Sequence, residues 1–170
     1  MPMILATSPS MLNLAKRAGV DMFYLVGGFD PVTKKAFTGK DAKALERAYE
    51  AIARSLDAGI EPYTSFLLGN EDDDEGTVDR MLEFAARSGI TKAEFAIFTP
   101  YPGTPAWTRL MAEKRIFDFD WSHYNDANCV FEPKGMTADQ VTQGYLRLWR
   151  DFYAGKSFAH MDTAERTIQF

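Results

Sequence analysis

The sequence has 170 residues, 46% of them hydrophobic and 25% charged, a balance that suits one folded domain and excludes a disordered polar chain. With 19 Lys plus Arg against 24 Asp plus Glu, the net charge of -5 offers no basic field to nucleic acid or anionic lipid. A single cysteine, Cys129, excludes an internal disulfide, a thiolate-built zinc site and an iron–sulfur cluster held by this chain's own thiolates.

No apolar run reaches the ~20 residues of a membrane span. The start Met1-Pro2-Met3-Ile4-Leu5 lacks the basic opening and long apolar stretch of a signal peptide, so no membrane contact is expected and the cytoplasm is the expected location.

Three stretches, Leu12 to Val26, Leu45 to Leu68 and Val78 to Phe98, repeat one order: helix pattern, glycine hinge, apolar run. The hinges read Arg17-Ala18-Gly19-Val20, Asp57-Ala58-Gly59-Ile60 and Arg87-Ser88-Gly89-Ile90. Each glycine falls where a left-handed residue closes the last turn of a helix. Before the second hinge, Leu45, Ala48, Tyr49, Ile52 and Leu56 form a helical stripe behind Asp41 as N-cap; before the third, Val78, Met81, Leu82 and Ala85 do the same.

After the hinges, Met22 to Val26, Tyr63 to Leu68 and Ala93 to Phe98 read as strands buried on both faces, and Met3 to Ala6 as a fourth. Strands and helices in this alternation predict a parallel α/β sheet of right-handed β-α units, followed by a helix at about Pro105 to Lys114. From Asp118 the pattern changes: Trp121, Tyr124, Val130 and Phe131 show no period. Then Thr137 and Gln140 take capping-box spacing ahead of an apolar stripe at Val141, Tyr145, Leu148 and Phe152, with Trp149 beside it. The organisation expected is a single domain with a β-α portion over 1–117, an extension with a packing helix over 118–158, and a loose tail over 159–170.

In parallel α/β folds ligands meet the carboxyl ends of the strands. Those ends read Thr7-Ser8, Gly27-Gly28, Gly69-Asn70-Glu71 and Thr99-Pro100-Tyr101. The glycines either admit a ligand to the backbone or simply make the turn, and neither pair has the spacing of a phosphate-binding or dinucleotide motif. The acidic run Glu71-Asp72-Asp73-Asp74-Glu75 suits a hard cation, or, as the stronger reading, complements and caps the helix that follows. His123 and His160 stand apart from other metal-ligating residues and read as surface or packing groups, and Cys129 as a buried inert thiol. Tyr101, between two prolines, is a better candidate to line a site than Phe95 or Trp107, which read as core.

The segment Phe98-Thr99-Pro100-Tyr101-Pro102-Gly103-Thr104-Pro105, followed by Lys114-Arg115-Ile116 and Trp121-Ser122-His123-Tyr124, resembles the carboxyl half of radical SAM enzymes, particularly those with an amino-terminal cobalamin-binding domain. The resemblance runs on through Val130-Phe131-Glu132-Pro133, Met136-Thr137, Gly144-Tyr145 and Asp151-Phe152-Tyr153, and back through Ser65-Phe66-Leu67-Leu68-Gly69, covering roughly Met3 to Phe158. It implies a partial TIM-type barrel of six β-α units. This chain would supply units three to six, a half-barrel of about four strands, plus the carboxyl-terminal helical extension. It also implies that Ser65, Gly69, Asn70, Phe98, Thr99, Pro100 and Tyr101 line a shared site able to contact S-adenosylmethionine.

The departures from that family carry as much weight. Its cluster cysteines and the strand before them are absent here, the cobalamin domain is absent, and Gly27 stands where Gly-Phe-Glu-Ser would place its cofactor-holding Glu. The expectation is a non-catalytic or accessory protein that acts by binding a partner protein or small ligand, with no catalytic residue, no metal and no cofactor bound alone. Two alternatives stand beside it. One is the carboxyl half of a split radical SAM enzyme completed by a cluster-bearing chain; the other is an excised fragment without independent function. An open sheet edge and concave face need cover, so the expected partner is a second copy or a separate protein that completes the barrel.

Overall fold

The computed structural model describes residues 8–26 and 42–155. In chain order they form α1 (Pro9–Arg17), β1 (Met22–Val26), α2 (Ala42–Asp57), β2 (Glu61–Leu68), α3 (Thr77–Ser88), β3 (Lys92–Ile97), α4 (Pro105–Ala112), a 3-10 turn (Trp121–His123) and α5 (Ala138–Tyr153). The sheet runs β1-β2-β3 with both pairs parallel. The α/β class and the parallel β-α alternation are therefore present. The sheet has three strands among the described residues rather than four, because Met3 to Ala6 lies outside them, as do Asp41 and Gly27-Gly28.

All three hinge glycines take the left-handed conformation, with φ of 86° at Gly19, 68° at Gly59 and 73° at Gly89. A side chain there would meet its own backbone, so the glycine fixes where each helix ends and the next strand begins. The capping box also forms: Thr137 Oγ1 accepts from the Gln140 N–H at 3.1 Å, and Gln140 Oε1 from the Thr137 N–H at 2.8 Å. Helix α4 starts at Pro105 as expected and stops at Ala112, two residues short of Lys114, which has a φ of 56° that no helix continues.

The main core lies between one face of the sheet and helices α2, α3 and α5. Phe66 at its centre stacks on Phe95 at 5.3 Å and meets Phe84 edge-on at 6.1 Å, and Phe95 in turn meets Trp149 and Phe152. Helix α2 turns the expected Ala48 and Ile52 inward and packs Leu45 and Tyr49 against the core, but its buried face is shifted away from Leu56. Ala44, Ala48, Ala51, Ile52 and Ser55 are buried, while Leu56 is exposed. Small residues let the helix approach the sheet closely, and the buried Ser55 hydroxyl returns to the Ala51 carbonyl at 2.8 Å. Helix α5 lies close in the same way, through Gly144 against Val78 and Leu68.

A second, smaller core joins α4 to the segment beyond it: Leu110, Ile116, Tyr124, Val130 and Phe131, with Phe98 and Trp107 against them. Ile116 and Phe131 form an antiparallel bridge, extended by the Glu132 N–H donating to the Arg115 carbonyl at 2.7 Å. This cluster places the extension over the carboxyl ends of β2 and β3. No helix among the described residues is long and apolar enough to cross a membrane.

Candidate functional site

The end of β2 closes on itself. Gly69 has a φ of 94°, and its N–H and that of Asn70 both donate to the buried Asp73 Oδ2, at 2.8 and 2.7 Å. The Asn70 amide donates to the Leu67 carbonyl at 2.7 Å. A Cβ on Gly69 would sit 3.6 to 3.7 Å from Val141, Phe131 and Phe98, so this glycine packs under the extension. The main-chain donors that would cradle a ligand are thus engaged by a carboxylate of the acidic run.

The end of β3 lies alongside. The Phe98 N–H donates to the Leu68 carbonyl at 2.7 Å and its ring meets Phe131 edge-on at 5.6 Å. The Thr99 hydroxyl returns to the Ile97 carbonyl at 3.1 Å, and Pro100 is buried. Tyr101 is exposed and donates its hydroxyl to Asp126 Oδ1 at 2.7 Å, a bond that, with burial, pushes the phenol up to about 12. The structure therefore brings Gly69, Asn70 and Phe98 together, continues them with Thr99 and Pro100, and turns Tyr101 toward the extension.

Ser65 belongs to a different constellation, on the sheet face opposite the helices. Along β2, Phe66 and Leu68 enter the helix-side core, so Tyr63, Ser65 and Leu67 point the other way. The register pairs Tyr63 with Tyr24 and Ser65 with Glu94. The two tyrosine rings stack at 5.5 Å, and the Tyr24 hydroxyl reaches across β2 to donate to Glu94 Oε1. Burial, then the bond to Glu94, raises the Tyr24 phenol; burial, then the charge of Glu94, raises that of Tyr63. The expectation of strands buried on both faces holds for β2, where Thr64 to Leu68 are all buried, and is corrected for β1, where Met22 and Tyr24 are exposed, and for β3, where burial alternates. Tyr24, Tyr63 and Glu94 were not among the expected site residues, although Tyr63, Ser65 and Glu94 are the polar interruptions in otherwise apolar runs.

The acidic run disperses its carboxylates. Glu71 pairs with Arg115 at 2.8 Å and with Lys134 at 2.8 Å, and lies 3.5 Å from Arg109. Burial opposes the charged form of Glu71, yet the bonds to Lys134 and Arg115 outweigh it and hold the carboxyl below its ordinary range. Asp74 pairs with Arg80 at 2.7 Å, and Glu75 accepts from Gln140 at 2.9 Å. Gly76 holds the N-cap position of α3 without a capping side chain. The run thus ties loops and helices together, and at the start of α3 Asp74 Oδ1 accepts from the Gly76 N–H at 3.0 Å. Among the described residues no three His, Cys, Asp or Glu side chains are placed to hold a metal ion.

His123 Nδ1 lies 2.7 Å from Asp118 Oδ2, and this contact raises the imidazole above its ordinary value; His160 lies outside the described residues. Cys129 Sγ donates to the Phe131 carbonyl at 3.2 Å, and burial pushes the thiol up to about 11. A thiol so held is a poor nucleophile at neutral pH.

Residues 104–163 match a family described as a domain of unknown function, DUF4070. The chain is 27% identical over 154 residues to the bacteriochlorophyllide d C-12(1)-methyltransferase of Chlorobaculum tepidum, covering 88% of this chain and 32% of that protein. It is 27% identical over 108 residues to an uncharacterized methyltransferase of Pyrococcus horikoshii, covering 64% of this chain and 24% of that protein. It is also 27% identical over 111 residues to the anaerobic magnesium-protoporphyrin IX monomethyl ester cyclase of Cereibacter sphaeroides, covering 65% of this chain and 18% of that protein. The chain spans about a third or less of the length of these curated relatives. Two of these three relatives are methyltransferases by name and the third is a cyclase.

Proposed function

We propose that this chain is the carboxyl-side part of a radical SAM-type barrel, presenting the sheet face that carries no helix among the described residues to a chamber for cofactor and substrate. The observation that carries the reading is the chemistry of that face. A parallel sheet covered by protein on both sides carries apolar residues on both, whereas here Tyr24, Tyr63, Ser65 and Glu94 stand beside Leu67 on the second side. Such a face suits a wet, ligand-lined chamber.

The chain's own residues do not fit an iron–sulfur cluster. A cluster needs several thiolates, and Cys129 is single, part-buried and bonded to a main-chain carbonyl. Cluster ligands therefore come from cysteines outside these 170 residues, on the same polypeptide or on a second one. S-adenosylmethionine would supply the radical or methyl chemistry when bound. Contacts to it from this chain fall to Ser65, Phe98, Thr99 and Pro100, with Gly69 and Asn70 as the framework behind them. The reaction class, taken from the names of the curated relatives, is methyl transfer or ring formation on a flat conjugated substrate.

The sheet edges bear on how the chamber is completed. The outer edge of β3 is sealed by the Tyr153 hydroxyl on Ala93 and by the Ile97 N–H donating to the Asp126 carbonyl at 2.6 Å. The outer edge of β1 carries no strand among the described residues. Two copies closing a ring need both edges of each sheet, so further strands joined at β1 fit better than a self-closed pair.

A non-catalytic accessory role is the second reading, favoured by Gly27 at the position where Glu is expected. Native mass spectrometry of the tagged protein, purified gently and without oxygen from its own host, separates the two. The expected result is an iron-containing assembly that includes a Cys-x3-Cys-x2-Cys sequence. A homodimer free of iron and S-adenosylmethionine would overturn the first reading in favour of the second.

A further inference from the structure

We infer that Glu94, with the phenol rings of Tyr24 and Tyr63, receives an organic cation, such as a protonated amine of a ligand, on the face of the sheet opposite helices α2, α3 and α5. The inference rests on the reading above, that this face lines a ligand chamber, and adds the chemical class of one group that binds there.

Glu94 sits in mid-strand on β3, part-buried, beside Ser65 on the central strand. A carboxylate drawn partly out of water needs a counter-charge or strong hydrogen bonds. Several carboxylates near the sheet have cations: Glu61 has Lys92 at 2.6 Å, Asp74 has Arg80 at 2.7 Å, Asp79 has Arg147 at 2.6 Å, and Glu71 has Arg115, while the buried Asp73 has main-chain N–H groups instead. Among the described residues no Lys or Arg forms an ion pair with Glu94. Lys92 is two positions away on the same strand and face, and its ammonium goes to Glu61. Among the described residues, Glu94 is met by phenol and hydroxyl groups: Tyr24 donates to it, Tyr63 lies against Tyr24, and Ser65 is its register partner.

This set selects for positive charge. The carboxylate repels anions, which excludes phosphate-bearing groups as the ligand of this particular spot. The faces of electron-rich rings attract a cation within about 6 Å of their centroids. Tyr24 is 44% exposed, so the cluster is reached from solvent. One carboxylate beside two stacked phenols therefore supplies charge, π-faces and a hydrogen-bond acceptor in one place.

The test titrates the whole 170-residue chain with benzylamine, which is protonated at neutral pH, and with benzyl alcohol, its uncharged counterpart, following backbone NMR signals. Benzylamine should give saturable shifts centred on Tyr24, Tyr63 and Glu94, and benzyl alcohol should not. Glu94→Gln should weaken benzylamine binding roughly tenfold or more with no change in melting; Tyr63→Phe should keep most of it, and Tyr63→Leu should lose it. Equal binding of amine and alcohol, no saturable shift with benzylamine, or an unaffected Glu94→Gln variant would overturn the inference. The native mass experiment does not depend on Glu94. An iron-containing assembly without cation binding removes this inference alone, and cation binding by a chain that never enters such an assembly removes the chamber reading alone.

Discussion

The phenol of Tyr153, at the end of α5, closes on the edge strand at Ala93: the Ala93 N–H donates to its oxygen at 3.1 Å and its own hydroxyl donates to the Ala93 carbonyl. By the alternation of a parallel ladder, Ala93 points its main-chain groups away from β2, where an incoming strand would pair. The ring is fixed by stacking on Trp149 at 5.7 Å. The last helix therefore ends the sheet as well as covering it.

Tyr153→Phe keeps the ring and removes the hydroxyl, leaving both main-chain groups of Ala93 on the edge without their partner. The expected loss is about 1–2 kcal/mol in urea unfolding, with faster amide exchange at Ala93. Unchanged stability and exchange would show that water replaces the phenol at no cost.

The contact between α5 and the sheet is equally specific. A Cβ on Gly144 would lie 2.8 Å from Val78 Cγ2 and 3.1 Å from Leu68 Cδ2, and Val78, being β-branched, has little rotamer freedom to yield. Gly144→Ala should therefore destabilise by about 1–2 kcal/mol, even though alanine is the better helix former. Adding Val78→Ala should recover part of that loss. Two independent, additive losses in a double-mutant cycle would disprove the steric account.

Features governed by neighbours in sequence were legible from the sequence. Gly19, Gly59 and Gly89 must end helices because their conformation is costly for other residues, and Thr137 with Gln140 forms its capping box within one turn. Features set by contacts distant in sequence were not. Helix α2 has both a large-residue stripe and an alanine stripe, and only the approach to the sheet decides that Ser55 goes in and Leu56 stays out. The strand ends were located, but Asp73 spends its carboxylate on the Gly69 and Asn70 amides, a choice made by a loop fold that leaves no periodic trace. Glu94 and Tyr24 are 70 positions apart and meet only across β2.

Acid should reveal the role of Glu71. Its carboxyl is held below its ordinary value of 4.5, so its contribution to stability is complete above that value and is lost as pH falls through the lower folded-state value. Glu71→Gln should cost on the order of 1 kcal/mol near neutral pH, a figure already reduced for partial exposure. The difference between the two proteins should start to close as pH falls past 4.5 and vanish below the lowered folded-state value. A difference that persists in acid would assign the loss to packing instead of to the pairing with Arg115 and Lys134.

Thr64 offers the opposite sign. It is fully buried in the central strand, between Leu25 and Ala93 in register, and its hydroxyl has no hydrogen-bond partner among the described residues. Placing an unpartnered hydroxyl in an apolar setting costs free energy that a methyl group of similar shape does not. Thr64→Val should therefore stabilise the protein by about 1 kcal/mol and leave the strand register unchanged. The measurement is the urea midpoint at constant slope. A lower midpoint would mean that the hydroxyl does find a partner in solution, and would make this position a polar contact through the sheet instead of a defect in its core.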